Sequence, residues 1–236
     1  MSTTWIIIIA VIAFGVLLWF LLAIANFAYD RFLQRYQELD KVPLQGDLSI
    51  YDFINYINHN EFDGKLQFIQ ISQLAGDAYS KGKLFLSTNT LNKNSLASIT
   101  IIAHELGHAK QDKEGGKLKR LHFLKAFGKI IGVFLPLLLI AGVVMLILGE
   151  DYFNISFILL GCAAGIFVLS LFTKLLTISI EKDASKKAIK MLEEYLSEGE
   201  LKKAKRFLKD ARLTYWADFL RLILGWTALS KKSKLF

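Results

Sequence analysis

His104, Glu105 and His108 stand in the spacing H-E-x-x-H. On a helix, positions i and i+4 lie one above the other on the same face. Two imidazoles placed that way can share one zinc ion, and the glutamate between them can act as base on a zinc-activated water. The flanking residues predict the helix that this chemistry needs. Asn94 or Ser95 is its expected cap, and Leu96, Ile99, Ile101 and Ile102 make it buried on most sides. Buried imidazoles need partners, and a shared metal ion is a less costly account of them than two unpaired rings.

The elements around this helix are apolar to a degree that points to a bilayer. Hydrophobic residues make up 53% of the 236 residues. Three runs are long enough to span a hydrocarbon core of roughly 30 Å. Residues 5–27 carry no charge, which favours a retained anchor. A cleaved signal peptide, with a small-x-small site at Ala23 and Ala25, is the competing reading; the run is too long for it and has no basic residues ahead of it. Residues 130–148 form the second run, with Pro136 tolerated inside a spanning helix. Residues 153–172 form the third. The acidic loop at 149–152 is so short that these two runs form an antiparallel hairpin. Gly161 and Gly165 frame a small-xxx-small pattern expected to bring the two helices of the hairpin together. Cys162, the single cysteine, lies in this apolar run and reads as a small buried residue. It excludes an intrachain disulfide and a cysteine-rich zinc site.

Charge orients the spans. Of the 29 Lys and Arg residues, none lies in 1–29 and none in 130–173. Fourteen lie in 31–129 and fourteen in 182–234, with Lys174 at the end of the third run. By the positive-inside rule the segments 30–129 and 174–236 face the cytoplasm, and the N-terminus and the 149–152 loop lie outside. The net charge of +8 therefore reports topology, and no ordered basic-aromatic motif of a nucleic-acid module is present. The basic run at 202–209 reads as a solvated or headgroup-facing side of a helix over 201–213. Residues 215–229 are short for a span and suit an interfacial or domain-packed helix.

Between the first two spans, the spacing predicts a helix over 47–58, capped by Asp47 or Ser49. Strands are expected at 65–72 and 83–87, with a turn between them, as a small pair. Lys83 suits an edge. An edge strand beside the metal helix can hold an extended substrate by backbone pairing; a plain hairpin covering the helix is the alternative. His59 reads as a solvated turn residue.

A catalytic zinc takes three protein ligands and a water. The third ligand is expected from the second cytoplasmic segment, where Glu181 is the first carboxylate. It lies seven residues past Lys174, about 10 Å of helix beyond the membrane edge. The competing reading makes Glu181 a surface carboxylate paired with Lys182 or Lys186. Asp183, at i+2, faces away from Glu181. Ser185, at i+4, or Asp183 can support a ligating histidine from behind. His122 and Tyr215 are candidates for a second group that stabilises an oxyanion.

Several of these segments together carry a resemblance: KLFLS at 83–87, AHELGHAKQ at 103–111, the apolar hairpin, and EKDASKKA at 181–188. In combination they resemble the YugP-like family of bacterial membrane-bound zinc metallopeptidases, and LTYWA at 213–217 is similar to that family's C-terminal segment. The layout is also similar to the gluzincins of the HtpX and CAAX-prenyl-protease type, whose third ligand is a glutamate within Glu-x-x-x-Asp. Here Ser185 stands at the fifth position.

The expected fold is mainly α, an integral membrane protein with about three transmembrane helices. The resemblance adds a zincin-like cytoplasmic α+β domain with a small strand pair. The expected divisions are an anchor at 1–29, a cytoplasmic segment at 30–129, a transmembrane hairpin at 130–173 and cytoplasmic helices at 174–236. The expected activity is zinc-dependent hydrolysis of peptide bonds in a bacterial plasma membrane. Its cofactor is Zn2+ held by His104, His108 and Glu181, its general base is Glu105, and its substrates are proteins or peptides beside the bilayer, with no nucleic acid. The alternative is a membrane scaffold or adaptor whose zinc site is structural or vestigial.

Overall fold

The computed structural model describes residues 3–44, 49–72 and 76–223. Helix α1 (Thr3–Asp40) opens the chain, and α2 (Ile50–Phe62) follows. Ser49 caps α2 by accepting from the Asp52 N–H, while Asp47 lies outside the described residues. This helix runs one turn further than its apolar spacing predicts. It ends where Asp63 (φ 55°) and Gly64 (φ 71°) turn left-handed. His59 is thus an exposed residue of the last helical turn rather than part of a loop.

Three strands follow, where the sequence predicts a pair: β1 (Gln67–Ile71), β2 (Ala78–Ser80) and β3 (Lys83–Ser87). Their order is β1-β3-β2, with β1 parallel and β2 antiparallel to β3. Strand β3 is therefore central, not an edge, and β1 with β3 is not a hairpin. The true hairpin is β2–β3, closed by Lys81 (φ 48°) and Gly82 (φ 77°). At three residues, β2 is too short for its alternation to be separable from a turn.

The short helix α3 (Thr88–Asn92) leads into α4 (Leu96–Lys113), which carries the H-E-x-x-H residues. Ser95, the second of the two candidate caps, accepts from the Ser98 N–H. Backbone pairing then clamps this helix start to the chain leaving α1. Leu96 N–H donates to Val42 O (2.8 Å), and Leu44 N–H donates to Asn94 O (3.1 Å). Asp40 adds an ion pair to Lys93 (2.5 Å).

Helix α5 (Lys117–Leu148) begins after Gly115 and Gly116, both at positive φ, and holds Pro136 inside it. A 3-10 turn at Glu150–Tyr152 leads to α6 (Phe153–Leu192), and α7 (Glu198–Ile223) closes the described chain. Helix α7 is continuous through 213–215, where the sequence suggests a division; residues 224–236 lie outside the described ones.

The chain divides into two compact units: Met1–Glu114 with Glu181–Phe236, and Gly115–Ile180. Within the first, α7 packs along α1. Phe32 stacks on Phe207 (centroids 5.5 Å), and Ala25, Ala28, Tyr29 and Ala217 form a small buried cluster. Buried Asp210 accepts from Arg31 (3.1 Å) and Arg35 (3.2 Å) of α1. Part of α7 is thus a packed face, not solely a solvated basic one. Within the second unit, the close approach of α5 and α6 occurs at Gly142, where a Cβ would meet the Leu160 side chain at 2.8 Å. Ser156 Oγ donates there to Gly142 O (2.7 Å). Gly161 and Gly165 have no neighbour within 4 Å of a built Cβ, so the expected small-xxx-small seam is not the contact. Cys162, beside them, is exposed rather than buried.

Three helices are long and apolar enough to cross a membrane, over Gly15–Asp40, Ala126–Leu148 and Glu150–Leu192 among the described residues. The third is far longer than a bilayer needs. Its apolar part precedes Lys174, and its polar continuation carries Glu181 into the first unit.

Candidate metal centre

Helix α4 is buried over nearly its whole length, and His104, Glu105 and His108 are each 4–6% exposed. Glu181, 1% exposed, comes from the polar end of α6. The two helices approach through small residues. Gly107 lies so close to α6 that a Cβ there would meet Ala184 O at 2.4 Å. Ala184 and Ala188 are fully buried. That closeness lets a side chain as short as glutamate reach both imidazoles.

His104 Nε2 and His108 Nε2 each lie 3.2 Å from Glu181 Oε2. One ligand atom from each of the three residues falls within 4.8 Å of the others, so the group could hold a metal ion. Ligands at about 2.0–2.1 Å around a tetrahedral zinc stand about 3.3 Å apart, close to the separation of Glu181 Oε2 from each imidazole Nε2. Two neutral imidazoles and a carboxylate are a donor set suited to zinc.

Each imidazole is supported on its other nitrogen. His108 Nδ1 bonds Gln111 Oε1 (3.0 Å), and Gln111 Nε2 donates to Asp183 Oδ2 (2.9 Å). Ser185 Oγ is a longer 3.4 Å from His104 Nδ1 and donates to Glu181 O (2.9 Å). Ser185 therefore touches a candidate ligand directly, while Asp183 acts through Gln111. The sequence did not single out Gln111. Its position three residues after His108, on the same helical face, is the signal that could have marked it.

Burial alone would raise the Glu181 carboxyl, but hydrogen bonds and charge from His104 and His108 hold it well below the usual carboxylate range. Burial would lower His108; the hydrogen bond and charge of Glu181, with Glu105 and Gln111 behind them, push it up to about 9 instead. Glu105 is raised from 4.5, chiefly by burial, with the histidines opposing and Glu181 and Asp77 adding to the shift. Its Oε2 accepts the Tyr79 N–H of β2 at 2.8 Å. Tyr79 also donates its hydroxyl to Asp112 Oδ2 (2.9 Å) and accepts from Gly82 N–H (2.8 Å). The edge strand beside the metal helix is therefore β2, not Lys83–Ser87.

Tyr215 reaches the site from α7 and lines one small cavity with Glu181. Burial first, then the nearby carboxylates, push its hydroxyl well above the ordinary value of 10.0. His104, Ser185, Leu208, Ala211 and Arg212 complete the lining of this cavity of ≈ 10 Å³. That is about the space one water molecule requires. The side chain of His122 lies outside the described ones.

The family model described as "Putative neutral zinc metallopeptidase" matches residues 4–229. No curated protein and no solved structure matches the chain.

Proposed function

The chain belongs to this neutral zinc metallopeptidase family, and from that premise we propose that it hydrolyses peptide bonds at a zinc site held by His104, His108 and Glu181. The observation that carries the reading is the pair of 3.2 Å separations from Glu181 Oε2 to the two Nε2 atoms, with Glu105 buried one residue away. A third ligand from glutamate is the gluzincin arrangement, in keeping with a YugP-like layout.

Bound zinc supplies Lewis acidity, polarising the scissile carbonyl and acidifying the attacking water. The protein's own groups do the rest. Glu105 Oε2 is engaged by the Tyr79 N–H, which leaves Oε1 to take the proton from the water and return it to the departing amine. Burial raises the Glu105 carboxyl and so matches it better to proton exchange near neutral pH. Gln111 and Ser185 fix the imidazole planes from behind. Tyr215 stands across Glu181 as the candidate donor to the developing oxyanion. Strand β2 takes the substrate-pairing role expected of an edge beside the metal helix.

The same reading places the protein in a bacterial plasma membrane. Its support is the set of three candidate spans and the apolar side chains they leave outward, Ile147 (78% exposed) and Val168 (64%) among them. In this reading the zinc site faces the cytoplasm, with the distribution of Lys and Arg as its support, and the substrates are membrane-adjacent proteins or peptides.

The test is zinc analysis of the full-length protein beside hydrolysis of a mixed peptide pool. Glu105→Gln keeps its zinc and loses cleavage by about 10²–10⁴-fold. A wild-type protein that takes up no zinc, or a Glu105→Gln protein that cleaves as fast as wild type, overturns the reading.

A further inference from the structure

Beyond Glu181 the polar end of α6 carries Lys182, Lys186 and Lys190 at every fourth position, a single row with a rise of about 6 Å per step. The chain then turns back, and α7 contributes Lys205, Lys209 and Arg212 to the opposite wall. Between the walls lies an open groove of ≈ 360 Å³. The only carboxylate lining it among the described residues is that of Glu193, which sits 3.6 Å from Lys205. Among the described residues, the other five cations have no ion pair or hydrogen bond.

A basic helix face alone is most often simply solvated. Two features separate this one from that case. It is concave, and its wall is continuous with the metal centre. Ser185, Leu208 and Arg212 line both the groove and the small cavity that touches His104, Glu181 and Tyr215. Whatever lies in the groove therefore rests against side chains that also border the proposed zinc ligands. Like charges set facing each other without counter-charges repel, and an anionic occupant relieves that repulsion.

The spacing selects the kind of anion. An extended polypeptide places side chains of one face about 6.6–6.8 Å apart, close to the rise of about 6 Å between successive lysines. The row from Lys182 to Lys190 is about 12 Å long, room for about four residues of extended chain.

The geometry points to a groove that receives an acidic stretch of the substrate polypeptide, with Asp or Glu at alternate positions over about four residues. This rests on the zinc-peptidase reading above and gives that enzyme its substrate preference.

The experiment uses full-length, zinc-loaded Glu105→Gln protein in nanodiscs of neutral lipid. Fluorescent peptides of one length carry Glu, Gln or Lys at alternate positions, and anisotropy reports binding. The Glu peptide binds at least about tenfold tighter than the Gln peptide, by an advantage that shrinks with salt. The double variant Lys186→Glu/Lys190→Glu abolishes the advantage, and Lys186→Gln/Lys190→Gln reduces it. These side chains are exposed, so the fold tolerates both pairs of changes. Lys202→Glu/Lys203→Glu, which alters net charge equally on the exposed surface outside the groove, leaves the advantage in place.

Equal binding of Glu and Gln peptides overturns the proposal. So does an equal loss with Lys202→Glu/Lys203→Glu. A third overturning result, read in parallel nanodiscs that contain anionic lipid, is that groove variants change only the protein's preference for that lipid, for that would make the groove a headgroup site. The two readings separate cleanly. If wild-type protein cleaves nothing while the groove-dependent preference persists, the peptidase reading fails and the groove stands. If wild type cleaves peptides regardless of charge and groove variants leave cleavage unchanged, the groove proposal fails alone.

Discussion

The backbone N–H of Tyr79 donates to Glu105 Oε2 at 2.8 Å, tying the edge strand β2 to the proposed general base. Seven residues further along α4, Asp112 accepts the hydroxyl of the same tyrosine at 2.9 Å. One residue thus fastens β2 to the metal helix at two points about two turns apart, and the aim of Glu105 depends on both fastenings.

Tyr79→Phe removes the hydroxyl, which donates to Asp112 and accepts from Gly82, while keeping the backbone bond to Glu105. A net loss of about 1–2 kcal/mol is expected from those bonds. The zinc content stays at the wild-type level because no ligand is touched. The rate of peptide cleavage falls, because β2 is held less firmly over Glu105. Thermal unfolding, zinc stoichiometry and kcat on one purified sample check the three together; loss of zinc would show that β2 supports the ligands instead.

Gly107→Ala tests how the third ligand arrives. In an isolated helix this change would stabilise by about 1 kcal/mol. Here the new Cβ meets Ala184 O at 2.4 Å, a backbone atom that cannot rotate away. The helices must separate, at an expected overpacking cost of about 1–3 kcal/mol, and Glu181 moves back from the imidazoles. The expected outcome is a lower Tm with much weaker zinc binding. Wild-type zinc affinity in this variant would mean that Glu181 is not a ligand.

The metal helix was legible because its signals are local: a cap at Ser95, apolar positions around the turn, and two histidines four apart. That Glu181 lies beside the two histidines agrees with the expectation, drawn from charge distribution and span lengths, that segments 30–129 and 174–236 share a side. The sheet was legible only in part. Strand β2 is three residues long, and its pairing to the far side of β3 is a non-local choice that no alternation encodes. The supports of the histidines were half seen. Ser185 follows from helical spacing to Glu181, whereas Gln111 joins two helices and declares itself only once Asp183 is beside it. The hairpin contact lies at Gly142 and not at Gly161 and Gly165, because small residues show where helices can approach but not which of them do.

Gln111→Leu removes the acceptor for His108 Nδ1 and leaves Asp183 without its bond from Gln111. The imidazole is then free to rotate or to adopt the other tautomer. Loss of such a support typically weakens metal binding by about 10–100-fold. Competition with a zinc chelator measures it. Asp183→Ala, which only releases Gln111, is expected to shift affinity in the same direction by less; an Asp183→Ala effect larger than that of Gln111→Leu would contradict this order of action.

The site also makes zinc affinity and metal-free stability depend on pH in opposite senses. Without metal, His108 is pushed from 6.5 to about 9 by Glu181, so near neutral pH it carries a proton that zinc must displace. Apparent zinc affinity therefore rises by about tenfold per pH unit through this window and levels off near pH 9. The stabilising contribution of a raised His108 is fully present below 6.5 and is lost as pH rises through about 9. Glu181 is depressed from 4.5, so its contribution is present above that value and is lost as pH falls through its lower folded value. Tm measured in chelator should accordingly decline from pH 6.5 to 9 in wild type, and less in His108→Gln, which lacks the titrating ring. The zinc-loaded protein should show no such decline, since His108 and Glu181 would then hold the metal and His108 would have no proton to lose. Identical pH profiles for the metal-free wild type and His108→Gln would show that this pair contributes nothing to the fold.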